Sequence, residues 1–88
     1  MESVINAYPN PTAATSNITF TVGETGNTTV NVFDLTGKQI ANLFNAKANA
    51  GETYTVTLDA AQLPAGMYIV KLTTTSGMVS TYKLSVAR

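Results

Sequence analysis

The sequence predicts an all-β protein, an antiparallel β-sandwich of about seven strands of the Ig-like or Greek-key kind. Three observations predict it. Apolar residues recur at every second position, the period of a strand with one buried and one wetter face. Clusters of Gly, Pro, Asn and Ser punctuate the chain about every 8–12 residues, a spacing typical of antiparallel all-β folds rather than βαβ units. Thr and Val dominate, and with Ile they form the β-branched set that suits a pleated surface. A sandwich is preferred to a small barrel because inward triplets from two sheets can interdigitate into one core.

Each element has its own signal. Ser3 to Ala7 supplies a first strand, and Tyr8-Pro9-Asn10-Pro11 ends it. The two prolines delete two amide donors and push Tyr8 and Asn10 toward extended backbone, which makes a stiff corner. Ile18, Phe20 and Val22 share one face of a second strand, with Asn17, Thr19 and Thr21 on the other. Gly23 to Asn27 turns the chain into a strand carrying Val30 and Val32. That strand ends at Asp34, which can brace a turn that Gly37 closes before Lys38. Gln39 to Ala50 holds Ile40, Leu43, Phe44 and several Ala but no helix cap at either end, and reads as a strand running into a loop. Past the Asn49-Ala50-Gly51 turn, Tyr54, Val56 and Leu58 alternate with Thr53, Thr55 and Thr57. Leu63-Pro64-Ala65-Gly66-Met67-Tyr68 is a Pro/Gly turn launching a strand in which Tyr68, Val70 and Leu72 alternate with Ile69, Lys71 and Thr73. Ser76-Gly77 leads into a last strand, with Tyr82, Leu84 and Val86 inward and Thr81, Lys83 and Ser85 outward.

Length and composition bound the function. The 88 residues suit a single domain over 1–88, with no linker or low-complexity tract. Five basic residues balance five acidic ones and only 11% of the chain is charged, so net charge directs it to neither nucleic acid nor anionic lipid. From that low charge, binding is expected to depend weakly on salt. Absence of Cys and His removes disulfides, thiol nucleophiles, the commonest general base and the commonest metal ligand. The longest apolar run, Met67 to Val70, is far shorter than the ~20 residues of a membrane helix. No signal peptide opens the chain. Met1 reads as an expression start, so the chain is expected to be an excised piece of a longer protein.

Chemistry is sparse. Glu2, Glu24, Asp34, Glu52 and Asp59 sit mostly beside turns, at no spacing that places a carboxylate pair across a cleft. Ser80 and Lys83 match the S-x-x-K pattern of serine acyl-enzymes, but a separation of three in a strand puts them on opposite faces. Asn17-Ile18-Thr19 and Asn27-Thr28-Thr29 are formal glycosylation sequons, relevant only in a eukaryotic secretory route. The Thr53, Thr55 and Thr57 row could order water as ice-binding surfaces do, yet exposed Thr is also the ordinary choice for a wet strand face. No catalytic residue, metal site, cofactor-binding motif or cofactor is expected.

Four segments are more specific: Tyr8 to Pro11, Val30 to Lys38, Leu63 to Tyr68, and Tyr82 to Val86. In that order they resemble the C-terminal sorting domain of the type IX secretion system of Bacteroidetes (the Por secretion system, type A). The family's YPNP corner corresponds to Tyr8, Pro9, Asn10 and Pro11. Its V-x-V-Φ-D-x-x-G-[KR] hairpin corresponds to Val30 to Lys38, with Asp34, Gly37 and Lys38. Its L-[PS]-x-G-x-Y turn corresponds to Leu63, Pro64, Gly66 and Tyr68. Its basic last strand corresponds to Tyr82, Lys83, Leu84 and Val86. One departure is Leu58, where the family often places an aromatic before the acidic residue matched by Asp59.

The resemblance implies a secretion signal without catalysis of its own. It would direct a covalently attached N-terminal cargo from the periplasm across the outer membrane to the cell surface or medium. Type IX translocon and sortase components would be its partners, and cleavage would fall near or before Glu2. A last strand at a sheet edge could accept a receptor strand or pair two copies, with Lys83 either discouraging self-pairing or touching the receptor. The alternative is a carbohydrate-binding or adhesive sandwich using the four Tyr residues as a platform, although three of them fall in inward-facing sets.

Overall fold

The computed structural model describes residues 4–8 and 11–87. Seven strands follow in order: β1 (Val4–Tyr8), β2 (Thr15–Thr21), β3 (Gly26–Asp34), β4 (Gln39–Ala48), β5 (Thr53–Asp59), β6 (Gly66–Thr74) and β7 (Val79–Val86). All pairings between them are antiparallel. They form a three-stranded sheet, β1-β2-β5, and a four-stranded sheet, β4-β3-β6-β7. The chain crosses between sheets after β2, β4 and β5, which makes a sandwich rather than two hairpin stacks. Gln39 to Ala48 is strand throughout, and the expected loop begins only at Asn49. The alternation of β4 is broken because its register against β3 shifts between Val30 and Asn31 and again between Val32 and Phe33. Such bulges turn side chains off the period-two pattern.

The inward triplets meet as expected. Ile18, Phe20, Val22 and Leu58 from one sheet pack on Val30, Val32, Val70, Leu72 and Leu84 from the other, all buried. Burial of this apolar area is the main stabilising contribution in a domain so small. Among the described residues no buried side-chain nitrogen or oxygen lacks a hydrogen-bond partner.

The two flanks of the sandwich close differently. On one flank Phe44 of β4 meets Tyr54 of β5 with ring centroids 5.6 Å apart, and both contact Phe20 at 5.1 and 5.4 Å. The Tyr54 hydroxyl accepts from the Asn49 amide at 2.7 Å and donates to Glu52 Oε2 at 3.0 Å, so this aromatic clasp also ties down the β4–β5 turn. On the other flank the chain leaves β1, crosses to the four-stranded sheet and lays Thr12 beside Val86 as a parallel bridge. The Thr12 amide donates to the Ser85 carbonyl at 2.9 Å, and the Ala87 amide donates to the Thr12 carbonyl at 2.8 Å. Thr12 is 2% exposed, and its hydroxyl donates to the Thr15 carbonyl at 2.7 Å as the chain returns to β2.

Candidate functional site

Because every strand reverses the last, connections alternate between the two ends of a molecule 37 Å long. The β2–β3, β4–β5 and β6–β7 turns and the start of β1 lie at one end, the proximal pole. The β1–β2, β3–β4 and β5–β6 connections and the end of β7 lie at the other, the distal pole. All four sequence motifs therefore converge on the distal pole, although they are spread along the whole chain.

The contacts between motifs are direct. Asp34 pairs with Tyr68 across β3 and β6, Tyr68 with Leu84 across β6 and β7, and Gly66 with Val86. Val86 in turn meets Thr12, just past the Tyr8 to Pro11 corner. Pro9 and Asn10 lie outside the described residues. Pro11 and Tyr8 are exposed, Tyr8 by 52%.

The Asp34 turn is built from the residue types its motif specifies. Asp34 Oδ1 accepts from the Thr36 amide at 2.9 Å, the Thr36 hydroxyl at 2.6 Å and the Lys38 amide at 3.1 Å. The Gly37 amide donates to the Asp34 carbonyl at 3.1 Å, with Gly37 at φ 91°, a left-handed conformation that a Cβ would strain. The Thr36 hydroxyl chiefly, joined by the Lys38 and Thr36 amides and the Lys38 charge, holds the Asp34 carboxyl below its ordinary value, against an opposing desolvation that outweighs either amide singly. At the β5–β6 connection the Ala61 amide donates to Asp59 Oδ1 at 3.0 Å, and the buried Tyr68 hydroxyl donates to the Pro64 carbonyl at 2.5 Å. Gly66 there has φ 152°, where no Cβ is easily placed.

The motif residues divide by burial. Tyr68, Leu84 and Val86 are core, and Tyr82 is half-buried on the inner face. Leu63 is half-buried, while Gly37, Lys38, Pro64, Gly66 and Lys83 are exposed. Three of the four Tyr residues turn inward, which leaves Tyr8 as the exposed ring and no aromatic platform. Ser80 faces inward opposite Leu72 while Lys83 faces outward opposite Ile69, so the S-x-x-K pair is divided by the sheet. Among the described residues no three acidic side chains gather closely enough to hold a metal.

Against this geometry, a family model described as "Secretion system C-terminal sorting domain" matches residues 6–87, nearly the entire chain. The chain belongs to this family. The sorting domain matches no curated protein. Among solved structures, CopC from Methylosinus trichosporium OB3b is similar at 25% identity and TM-score 0.51, over 97% of the sorting domain and 91% of that chain. A β-glucosidase from Listeria innocua solved with glucose is similar at 19% identity and TM-score 0.52, over 99% of the sorting domain but 16% of that chain. These likenesses speak for the sandwich fold alone.

Sequence reasoning placed the four motifs but missed what lies between them. Phe33, Leu35, Ile69 and Lys71 line a shallow hollow of about 390 Å³ beside the Asp34 turn. Phe33 was within the second motif, and its outward position follows from Val30 and Val32 pointing in. That Ile69 and Lys71 share its face required the β3–β6 pairing.

Proposed function

We propose that the sorting domain is the C-terminal address of a larger exported protein. The type IX translocon reads the folded sandwich, the cargo passes the outer membrane by way of the periplasm, and a cell-surface sortase removes the domain. The observation that carries this reading is the family match over residues 6–87. The family is one of sorting signals, not of enzymes. The geometry adds support. A cargo joined ahead of β1 attaches at the proximal pole, so Tyr8, Pro11, Asp34 to Lys38, Pro64, Gly66 and the Lys83 strand stay open to a receptor at the other pole. Sortase cleavage upstream of β1 then falls at the cargo junction, away from the recognised end.

Fusing a reporter ahead of Met1 in a bacterium that carries this secretion system tests the proposal. The expected result is reporter at the cell surface or in the medium, lighter by the 9.3 kDa of the domain. A reporter held in the periplasm overturns the sorting role. Surface reporter that keeps its full mass overturns sortase removal.

A further inference from the structure

We propose that the outer face of the four-stranded sheet, beside the distal pole, docks an acidic peptide segment that carries an apolar anchor residue, presented by a component of the secretion machinery. The proposal rests on the sorting function and names the chemistry of the contact.

The two outer faces of the sandwich differ in kind. On the three-stranded sheet the rows read Val4-Thr21-Thr53, Asn6-Thr19-Thr55 and Tyr8-Asn17-Thr57, an almost wholly uncharged polar surface. Thr21 and Thr53 share a hydroxyl hydrogen bond at 3.1 Å, and Thr57 donates to Asn17 at 3.1 Å, so this face satisfies itself. The proximal half of the four-stranded sheet is mixed: Thr29 lies opposite Thr73, Asn27 opposite Lys47, and Val79, 51% exposed, opposite Thr73, while the Asn42 amide donates to Asn31 at 2.6 Å nearer the middle.

The distal half breaks the pattern. Phe33 and Ile69 are directly opposed on the outward side, where an antiparallel sheet ordinarily carries polar residues. Leu35 is 69% exposed and Met67 39% exposed on either side of them. The hollow of about 390 Å³ between Phe33, Leu35 and Ile69 has room for one branched or aromatic side chain. Apolar side chains grouped at a polar face mark an interaction site more often than scattered ones do.

Charge selects the occupant. Lys47, Lys71 and Lys83 lie on this sheet's outer face and Lys38 in its β3–β4 turn. Among the described residues no lysine lies on the other sheet. The acids are elsewhere: Glu24 and Glu52 in proximal turns, and Asp59 at the end of β5. Asp34 also borders the hollow; its Oδ1 is turned into the β3–β4 turn by Thr36 and Lys38, and its negative charge is opposed by that of the neighbouring Lys38. The Lys71 ammonium sits 5.8 Å from the Phe33 ring centroid, held at the rim of the hollow by the attraction of a cation for an aromatic face. An apolar anchor in the hollow thus places flanking carboxylates between Lys71, Lys83 and Lys38. Such a contact is salt-sensitive, unlike the behaviour expected from the net charge.

The test compares reporter fusions carrying Lys71→Glu with Lys83→Glu, Phe33→Ser with Ile69→Ser, and, as controls on the opposite sheet, Asn6→Glu with Thr55→Glu. Thermal unfolding of each isolated domain first establishes that it is folded. With the unaltered fusion exported, the expected result is a loss of export of about tenfold or more for both outer-face pairs and none for the control, because like charge across an interface is strongly unfavourable. Folded outer-face variants exported at the unaltered level overturn the proposal while leaving the sorting function standing. An unaltered fusion that is not exported overturns the sorting function itself. A second arm titrates the isotopically labelled domain with a synthetic peptide of one Phe flanked by Asp and Glu, with its Lys-for-acid counterpart, and with phosphatidylglycerol vesicles. Amide shifts at Phe33, Ile69 and Lys71 with the acidic peptide alone, lost at high salt, support the contact. Vesicle binding of equal strength, or shifts confined to the three-stranded sheet, overturns it.

Discussion

The amide of Thr12 donates to the carbonyl of Ser85 at 2.9 Å, which joins the corner after β1 to the end of β7. Seventy-three positions separate the two residues along the chain, yet they are neighbours at the distal pole. Between the end of β1 at Tyr8 and the start of β2 at Thr15 the chain reaches the edge of the other sheet and returns. Thr12 covers the last part of the β7 edge, so a receptor strand adding to β7 would have to pair upstream of Ser85. Thr12→Pro deletes the amide donor to Ser85 together with the hydroxyl bond to Thr15, with an expected cost of about 1–3 kcal/mol in denaturant unfolding. An unchanged midpoint would show that the bridge contributes nothing to stability.

Removing Leu84 to Arg88 is expected to abolish export through loss of the fold. Leu84 and Val86 are buried, and the Thr12 bridge disappears with them. The truncated domain should show no cooperative thermal transition. A truncated domain that stays folded but is not exported would instead make the last residues a signal in their own right.

The aromatic clasp separates packing from polar contributions. Phe20→Ala removes the ring shared by Phe44 and Tyr54 and should cost about 3–5 kcal/mol, a large share of the stability of a domain of this size. Tyr54→Phe keeps the ring and loses only the hydroxyl bonds to Asn49 and Glu52, for about 0.5–1.5 kcal/mol. Equal losses in urea titrations would contradict this division.

Asp34 links stability to acid. Its folded-state carboxyl is held below the ordinary value, chiefly by the Thr36 hydroxyl, so the charged form favours the native turn. The contribution is fully present above the ordinary carboxylate range and is lost as pH falls through the lowered folded value. Asp34→Asn should therefore be less stable than the unaltered domain at neutral pH, with the gap narrowing below about pH 4. A gap that stays constant from pH 7 to pH 2 would contradict the charge argument.

Gly37 at φ 91° has open space around a notional Cβ, so its requirement is conformational and not steric crowding. Gly37→Ala should cost about 1–2 kcal/mol of backbone strain, and Gly37→Asn less, since Asn tolerates the left-handed region. Identical melting temperatures for the two variants would disprove that account.

Much of the fold was legible because burial on one face of a strand writes itself into the sequence with period two. Ile18, Phe20, Val30, Val70 and Leu84 were all found where alternation put them. The exception is β4, where bulges against β3 decoupled its side chains from simple alternation, so the strand was read without a defined end. The bridge at Thr12 was not legible, because a single isolated pairing leaves no periodic trace. Nor was the outer-face hollow. Phe33 and Lys71 are 38 positions apart in the chain, and only the register of β3 against β6 brings them together. The four motifs could be located singly, but their convergence depends on the up-down order of the strands.

The described lysines all belong to the four-stranded sheet or its β3–β4 turn, so this electrically neutral domain is one-sided across its thickness, with no described lysine on the three-stranded sheet. In the field of an acidic partner such a body feels little net pull but a definite torque. It should therefore turn its four-stranded sheet to the partner before it is drawn in, and arrive with Phe33, Ile69 and Lys71 foremost.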